Sequence, residues 1–368
     1  MSVKYVGVQW TRTKQIYDVI VVVGILAFIQ LFERFAASTW GGERYVAPPV
    51  LEMRAWGACA FTVLSLILCI GPLARLDRRF APLLYNRRHL GVAMALVAMG
   101  HAYHVLDFYY AYSSVRPSAA LFEQDRAFTS ASWPFPIFGA VALLIVTVMA
   151  ATSHDFWQKF LGARAWKWIH MLVYLAYALA VLHVAFGVMQ TDTHPALVLA
   201  FLASVVVVVT LHLVASHRST ALERAPAVPA QTGGRRWLDA GPVGAIPKNR
   251  ALPVVGPTGE RIAVIRHAGG VSALHGVCAH QGGPLYEGKV VDGCLTCPWH
   301  GWTYRPEDGC APPPFVEKIS TYDVRIEGGR VFVCPDPNPE GTRVEPARES
   351  ESESESESES ERGSTSSG

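Results

Sequence analysis

Six apolar runs divide the first part of the chain, at about 16–32, 56–75, 90–110, 136–152, 168–189 and 196–214. Each is close to the ~20 residues that a helix needs to cross roughly 30 Å of hydrocarbon. No such run follows Arg218. Pro, Gly and Arg take over there, which predicts a linker at 217–237, and short β-rich runs then predict a soluble domain at 238–336. One of these runs, Tyr322 to Cys334, carries Gly328-Gly329 at its middle and reads as a hairpin. From Glu349 to Glu361 the chain alternates Glu and Ser, with no apolar residue to bury, so 337–368 is expected to be a disordered acidic and Ser-rich tail. The predicted fold class is therefore multi-domain: an all-α six-helix transmembrane bundle over 1–216, followed by a small all-β domain.

Composition agrees with that division. A hydrophobic share of 51% and a mean hydropathy of +0.23 are too high for an ordinary soluble fold of 368 residues. Charge adds orientation. If the six runs cross the bilayer in turn, fifteen Lys and Arg collect on the side of the N-terminus and five on the other. The richest loop holds Arg75, Arg78, Arg79, Arg87 and Arg88. The positive-inside bias thus predicts a multi-pass protein of the cell inner membrane with both termini and the soluble domain in the cytoplasm. These basic residues report topology and give no reason to expect nucleic acid as a partner. Glu33 and Arg34 crowd the small residues after the first run, which argues against a cleaved signal peptide.

The clearest chemistry lies in the soluble domain. Cys278-Ala-His280-Gln-Gly-Gly is followed, after sixteen residues from His280, by Cys297-Pro-Trp-His300-Gly. Two thiols and two imidazoles in paired hooks also suit a structural zinc ion. The single residue between Cys278 and His280, the glycines after the first hook and Pro298 and Gly301 in the second weigh against zinc. These two strings resemble the loops of the Rieske ferredoxin family, C-x-H-x-G-G and C-P-x-H-G. The resemblance covers about 238–334 and implies a [2Fe–2S] cluster, with Cys278 and Cys297 on one iron and His280 and His300 on the other. High-potential members add a disulfide between the loops. Here Gly283 and Trp299 occupy those positions, which implies the lower-potential ferredoxin type. Cys294, Cys310 and Cys334 lack ligand spacing and read as small buried residues. No His follows His300, so the mononuclear iron site of a ring-hydroxylating oxygenase is not expected.

Histidines inside apolar spans are costly and mark function by default. The third run holds His101 and His104, with His89 at its mouth; the fifth holds His170 and His183; the sixth holds His212. Runs three and five lie parallel, so His89 and His170 fall near the inner face and His101, His104 and His183 about 20 Å deeper. Two facing levels of His suit iron porphyrins clamped between helices. His104 reads as an alternative ligand, a propionate contact or a core residue. His154, His194, His212 and His217 read as structural.

The strings Arg87-Arg88-His89-Leu90-Gly91, with His101 beyond, and Trp166-Lys-Trp-Ile-His170-Met-Leu-Val-Tyr174, with His183 beyond, resemble the ferric-reductase-like transmembrane family over about 56–190. The resemblance implies one or two b-type haems, with His101 and His183 as the outer pair and His170 and His89 at an inner site. Members of that family usually append a flavin and nicotinamide domain. No Gly-rich dinucleotide fingerprint stands here, so a separate donor is required, because a one-electron cluster does not accept hydride. The expected function is an oxidoreductase component that moves electrons between cluster and haem and exchanges them with a redox partner protein or quinone in either direction. A redox-sensing or assembly module without net turnover is the alternative.

Overall fold

The protein is described by a computed structural model covering residues 12–40, 47–112, 116–120, 135–191, 194–223, 228–232, 235–257, 259–280, 282–299, 301–313 and 315–348. The chain divides near residue 217 into a helical unit and a β unit.

Seven helices of at least 14 residues build the helical unit among the described residues: α1 Arg12–Trp40, α2 Pro48–Leu76, α3 Ala81–Tyr112, α4 Phe135–Ala151, α5 Asp155–Met171, α6 Val173–Phe186 and α7 Pro195–Glu223. Five stretches are long and apolar enough to cross a membrane: Lys14–Ala36, Pro48–Leu76, Asn86–Tyr112, Ala165–Phe186 and Pro195–Arg218. The remaining expected span, α4, has 17 residues and reaches about 26 Å at the α-helical rise.

The count rises from the expected six because the fifth run is divided: α5 ends at Met171 and α6 begins at Val173, with Leu172 between them. The chain is already helical from Asp155, where His154 Nδ1 accepts the Phe156 N–H at 3.2 Å. Gly162, at φ 77° and ψ 154°, kinks α5 internally, just before the apolar stretch that starts at Ala165. A glycine adopts that backbone without the Cβ clash that any other residue would meet.

α2 is the most enclosed helix. Pro48 and Pro49 fill its first turn, where a missing N–H leaves no bond unmade. Ala55, Cys59, Val63, Ile67 and Leu68 form a buried stripe at helical spacing. At its end the Asp77 N–H returns to the Leu73 carbonyl at 2.8 Å, and the Asp77 carboxylate accepts the Arg79 N–H at 2.9 Å. α2 packs chiefly on α3, and α4 on α6. The outer faces of α1 and α7 leave Ile16, Val19, Ile20, Leu199, Leu202 and Val206 exposed, as lipid-facing helices do and water-facing helices do not. The protein is an integral membrane protein.

The β unit holds two antiparallel sheets. Its strands are β1 Val228–Thr232, β2 Arg235–Pro242, β3 Arg250–Val255, β4 Arg261–His267, β5 Gly270–His275, β6 Lys289–Val291, β7 Cys294–Thr296, β8 Thr303–Tyr304, β9 Thr321–Tyr322, β10 Val324–Glu327 and β11 Arg330–Val333. One sheet runs β1-β2-β11-β10 and the other β8-β7-β6-β3-β4-β5-β9. β4 is buried on both faces. Ile262 and Val264 point into a core shared with Leu238, Val331 and Val333, while Ala263 and Ile265 point into a second core with Leu285, Leu295 and Tyr304. The period of two along a strand enforces that split. The predicted hairpin is β10–β11, turned by Gly328 and Gly329 at φ 55° and 68°.

Two expected boundaries move. The proposed linker at 217–237 is largely structured: α7 continues to Glu223, and β1 pairs with β2 from Val228. The expected tail is also ordered at its start, since Asn338, Gly341, Val344 and Ala347 donate backbone N–H groups to Thr321, Ile319, Glu307 and Val271. Residues from Glu349 onward lie outside the described residues.

Candidate metal centres

The two hooks leave the second core of the β unit at corresponding points, one after β5 and one after β7. Their backbones share one frame. The Cys278 N–H donates to the Gly283 carbonyl at 2.8 Å and the Cys297 N–H to the Trp302 carbonyl at 2.7 Å, five residues on in both cases. The Cys278 and Cys297 carbonyls accept the N–H groups of Gly282 and Gly301 at 2.8 and 3.0 Å, four residues on. Closing so short a loop needs a left-handed residue, and Gly282 and Gly301 supply it at φ 71° and 70°.

Both thiols are buried, at 2% exposure each. The hooks face one another: a Cβ on Gly283 would stand 2.6 Å from Cys297 Sγ and 3.3 Å from the Trp299 ring. The His280 ring lies flat on the Trp302 indole, with centroids 4.3 Å apart and planes 2° from parallel, and Phe315 backs the indole at 4.1 Å. His300, the fourth expected ligand, lies outside the described residues, and no three His, Cys, Asp or Glu among the described ones are gathered to hold an ion by themselves. Two buried thiols and an oriented imidazole on two closely facing hooks fit a bridged two-iron group in donor chemistry.

Tyr304 completes this neighbourhood. Its hydroxyl accepts the Ala279 N–H at 3.1 Å and stands 3.4 Å from Cys278 Sγ. Burial pushes the phenol well above its ordinary range, and the charge on Cys278 adds to the shift. The phenol therefore stays protonated and lies within reach to donate to a Cys278 thiolate. Spacing alone did not reveal Tyr304, because it reaches Cys278 from β8, at the end of the other hook. Burial, followed by the Glu307 charge, likewise raises Cys294. Cys294, Cys310 and Cys334 are free thiols; Cys334 is buried as expected, whereas Cys294 and Cys310 are only half-buried.

In the helical unit, His101 of α3 and His183 of α6 come together. Their ring centroids are 6.2 Å apart and their planes 73° from parallel. Two imidazoles on opposite faces of one metal ion stand about 6 Å apart, given a metal–imidazole bond of about 2 Å. Each Nδ1 is held by a backbone carbonyl, His101 by Met53 at 2.9 Å and His183 by Phe135 at 3.0 Å. A carbonyl only accepts, so each Nδ1 carries the proton and each Nε2 keeps its lone pair for a metal. The pair fits a six-coordinate haem iron.

The inner candidates are held differently. His89 Nδ1 meets the Asp18 carboxylate of α1 at 2.8 Å. His170 bonds within its own helix to the Trp166 carbonyl at 3.0 Å and stacks on that indole at 3.9 Å. His104 faces Glu52 at 3.6 Å and lies 5.4 Å from the Trp56 ring. His212 bonds to the Val208 carbonyl four residues back, and His154 caps α5, both structural roles.

A membrane-spanning helical bundle with paired buried imidazoles, joined to a β domain with two facing thiol hooks, defines the class of membrane electron-transfer proteins. Comparison with known proteins gives the families. The profile of the Rieske [2Fe-2S] domain matches residues 236–323, and that of the ferric reductase like transmembrane component matches residues 56–181. The anthranilate 1,2-dioxygenase ferredoxin subunit of Burkholderia cepacia is 36% identical over 97 residues, which cover 25% of this chain and 88% of that protein. The protein-methionine-sulfoxide reductase heme-binding subunit MsrQ of Polaromonas naphthalenivorans is 31% identical over 176 residues, 48% of this chain and 74% of that protein. Other relatives are longer: the chain spans 14% of the cholesterol 7-desaturase nvd 1 of Ciona intestinalis, at 42% identity over 66 residues, 17% of this chain. The chain belongs to the ferric-reductase-like transmembrane family through its helical unit and to the Rieske [2Fe–2S] family through its β unit.

Proposed function

We propose that the chain passes single electrons between a cytoplasmic Rieske cluster, held by Cys278, His280, Cys297 and His300, and b-type haem in the membrane, held by His101 and His183. Exchange with a separate redox partner protein or quinone completes the path. The observation that carries this reading is the His101–His183 pair, whose 6.2 Å spacing and fixed protons present two bare Nε2 atoms inside a lipid-crossing bundle. Similarity to the Polaromonas heme-binding subunit supports the same assignment. The excess of Lys and Arg in alternate loops supports the cytoplasmic side for the cluster.

When bound, the two groups would supply one-electron carriers at potentials set by their surroundings. The chain's own residues supply the rest. Cys278 and Cys297 offer buried thiolates, Tyr304 donates to one of them, and Trp302 fixes the plane of His280. Met53 and Phe135 hold the protons of the membrane pair away from the metal side. A second haem would draw on His170 and His89 near the inner face.

Rapid mixing tests the relay. The full chain in detergent receives a soluble one-electron reductant that reaches the β unit, and the cluster and haem bands are followed together. Haem reduction that trails cluster reduction is the expected result. A reduced cluster beside haem that stays oxidised throughout would end the relay reading and leave redox sensing in its place.

A further inference from the structure

The two membrane imidazoles are built by the same device used twice. His101 lies 48 residues after the carbonyl that holds it, Met53, and His183 lies 48 residues after Phe135. Four residues beyond each carbonyl, one turn along the same helix, stands a glycine: Gly57 on α2 and Gly139 on α4. Each glycine is where the ring rests. A Cβ on Gly57 would meet the His101 ring at 3.0 Å, and one on Gly139 would meet the His183 ring at 2.7 Å. Helix interiors disfavour glycine relative to alanine, so both positions give up helix stability for close approach.

Resting on the haem reading above, we infer that Gly57 and Gly139 are positioning residues for the axial ligands. Each, with the carbonyl one turn before it, forms a seat that fixes ring plane and tautomer and leaves Nε2 toward the iron. The repeat pairs α2 with α3 and α4 with α6, so the two seats come from two copies of one helix-pair arrangement. The inner histidines do not use it. His89 is held by a side-chain carboxylate, and His170 turns Nδ1 to the Trp166 carbonyl of its own helix. The device therefore marks out His101 and His183 as one matched pair, presenting two neutral imidazoles of the same tautomer.

The test uses the full chain in detergent and reads spectra rather than turnover. Gly57→Ala and Gly139→Ala are compared with Gly24→Ala, where a Cβ would meet nothing within 4 Å. Low-spin haem absorption per polypeptide is measured, with the cluster EPR signal as the gauge of intact protein. We expect both seat variants to lose the low-spin signature, Gly139→Ala more completely, while Gly24→Ala and all cluster signals stay unchanged. Wild-type low-spin haem in both seat variants would overturn the inference and leave the haem reading standing. Wild-type protein without haem would overturn that reading instead. If the seat variants do not accumulate, ¹⁵N-histidine ENDOR on the oxidised wild type decides: a proton on the remote nitrogen of both axial imidazoles supports the seats, and an imidazolate contradicts them.

Discussion

The Tyr304 hydroxyl stands 3.4 Å from Cys278 Sγ while accepting the Ala279 N–H at 3.1 Å, so a strand at the end of one hook hydrogen-bonds the thiol of the other. A donor to a cluster sulfur stabilises the reduced, more negative state more than the oxidised one. Tyr304→Phe removes that donor and keeps the ring. If the bond favours the reduced state by about 1 kcal/mol, the cluster midpoint falls by about 40 mV for a one-electron couple. EPR-monitored titration of the full chain measures it. An unchanged or raised midpoint would show that the phenol does not donate to the sulfur.

Trp302 keeps His280 in plane by parallel stacking at 4.3 Å. Such contacts contribute about 0.5–1.5 kcal/mol beyond their buried area. Trp302→Leu should release the cluster to a chelator up to about tenfold faster, while Trp302→Phe should stay near wild type. Absorbance decay under chelator gives both rates, and equal rates for all three proteins would remove the indole from the account.

How legible these features were depends on whether they lie along the chain or across it. The hooks stood out because ligand, spacer and turn glycine fall within six residues, and the β10–β11 hairpin because Gly328-Gly329 stands at the middle of its run. Tyr304 did not, because its contact with Cys278 crosses from β8. Gly57 and Gly139 lie inside apolar runs with nothing local to single them out, and only the folded helix pairs give their regular offset from His101 and His183 a meaning. The helix count was missed at Leu172, since a break between Met171 and Val173 inside an apolar run leaves no hydropathy signal of its own. The linker and tail were overextended for a related reason: Val228–Thr232 and Asn338–Ala347 are held by backbone pairing that polar composition conceals.

His267 gives the β unit a pH response. Its Nδ1 accepts the Gly269 N–H at 3.2 Å and its Nε2 meets Ser272 Oγ at 2.9 Å, an arrangement for the neutral ring. Burial lowers its pKa below the ordinary value near 6.5, against the opposing charge of Glu307. His275 is lowered in the same way by burial. The unfolded chain thus binds more protons than the folded one as pH falls below about 6.5, and the stability these groups hold at pH 7 and above is lost in that direction. Thermal unfolding of the full chain, followed by cluster absorbance between pH 7.5 and 5, should show a falling midpoint that His267→Gln partly flattens. A midpoint that rises on acidification would reverse the assigned sign.

Under the proposed function, His101 and His183 hold one haem iron in the same polypeptide that carries the cluster. Reduced-minus-oxidised optical spectra with parallel EPR, taken on the wild type and on His101→Ala and His183→Ala, test it most directly. The wild type should show low-spin haem together with a Rieske-type signal, and each alanine variant should lose the low-spin haem while keeping the cluster. Low-spin haem that persists in both variants, or iron-replete wild type with a cluster signal and no haem, would contradict the claim.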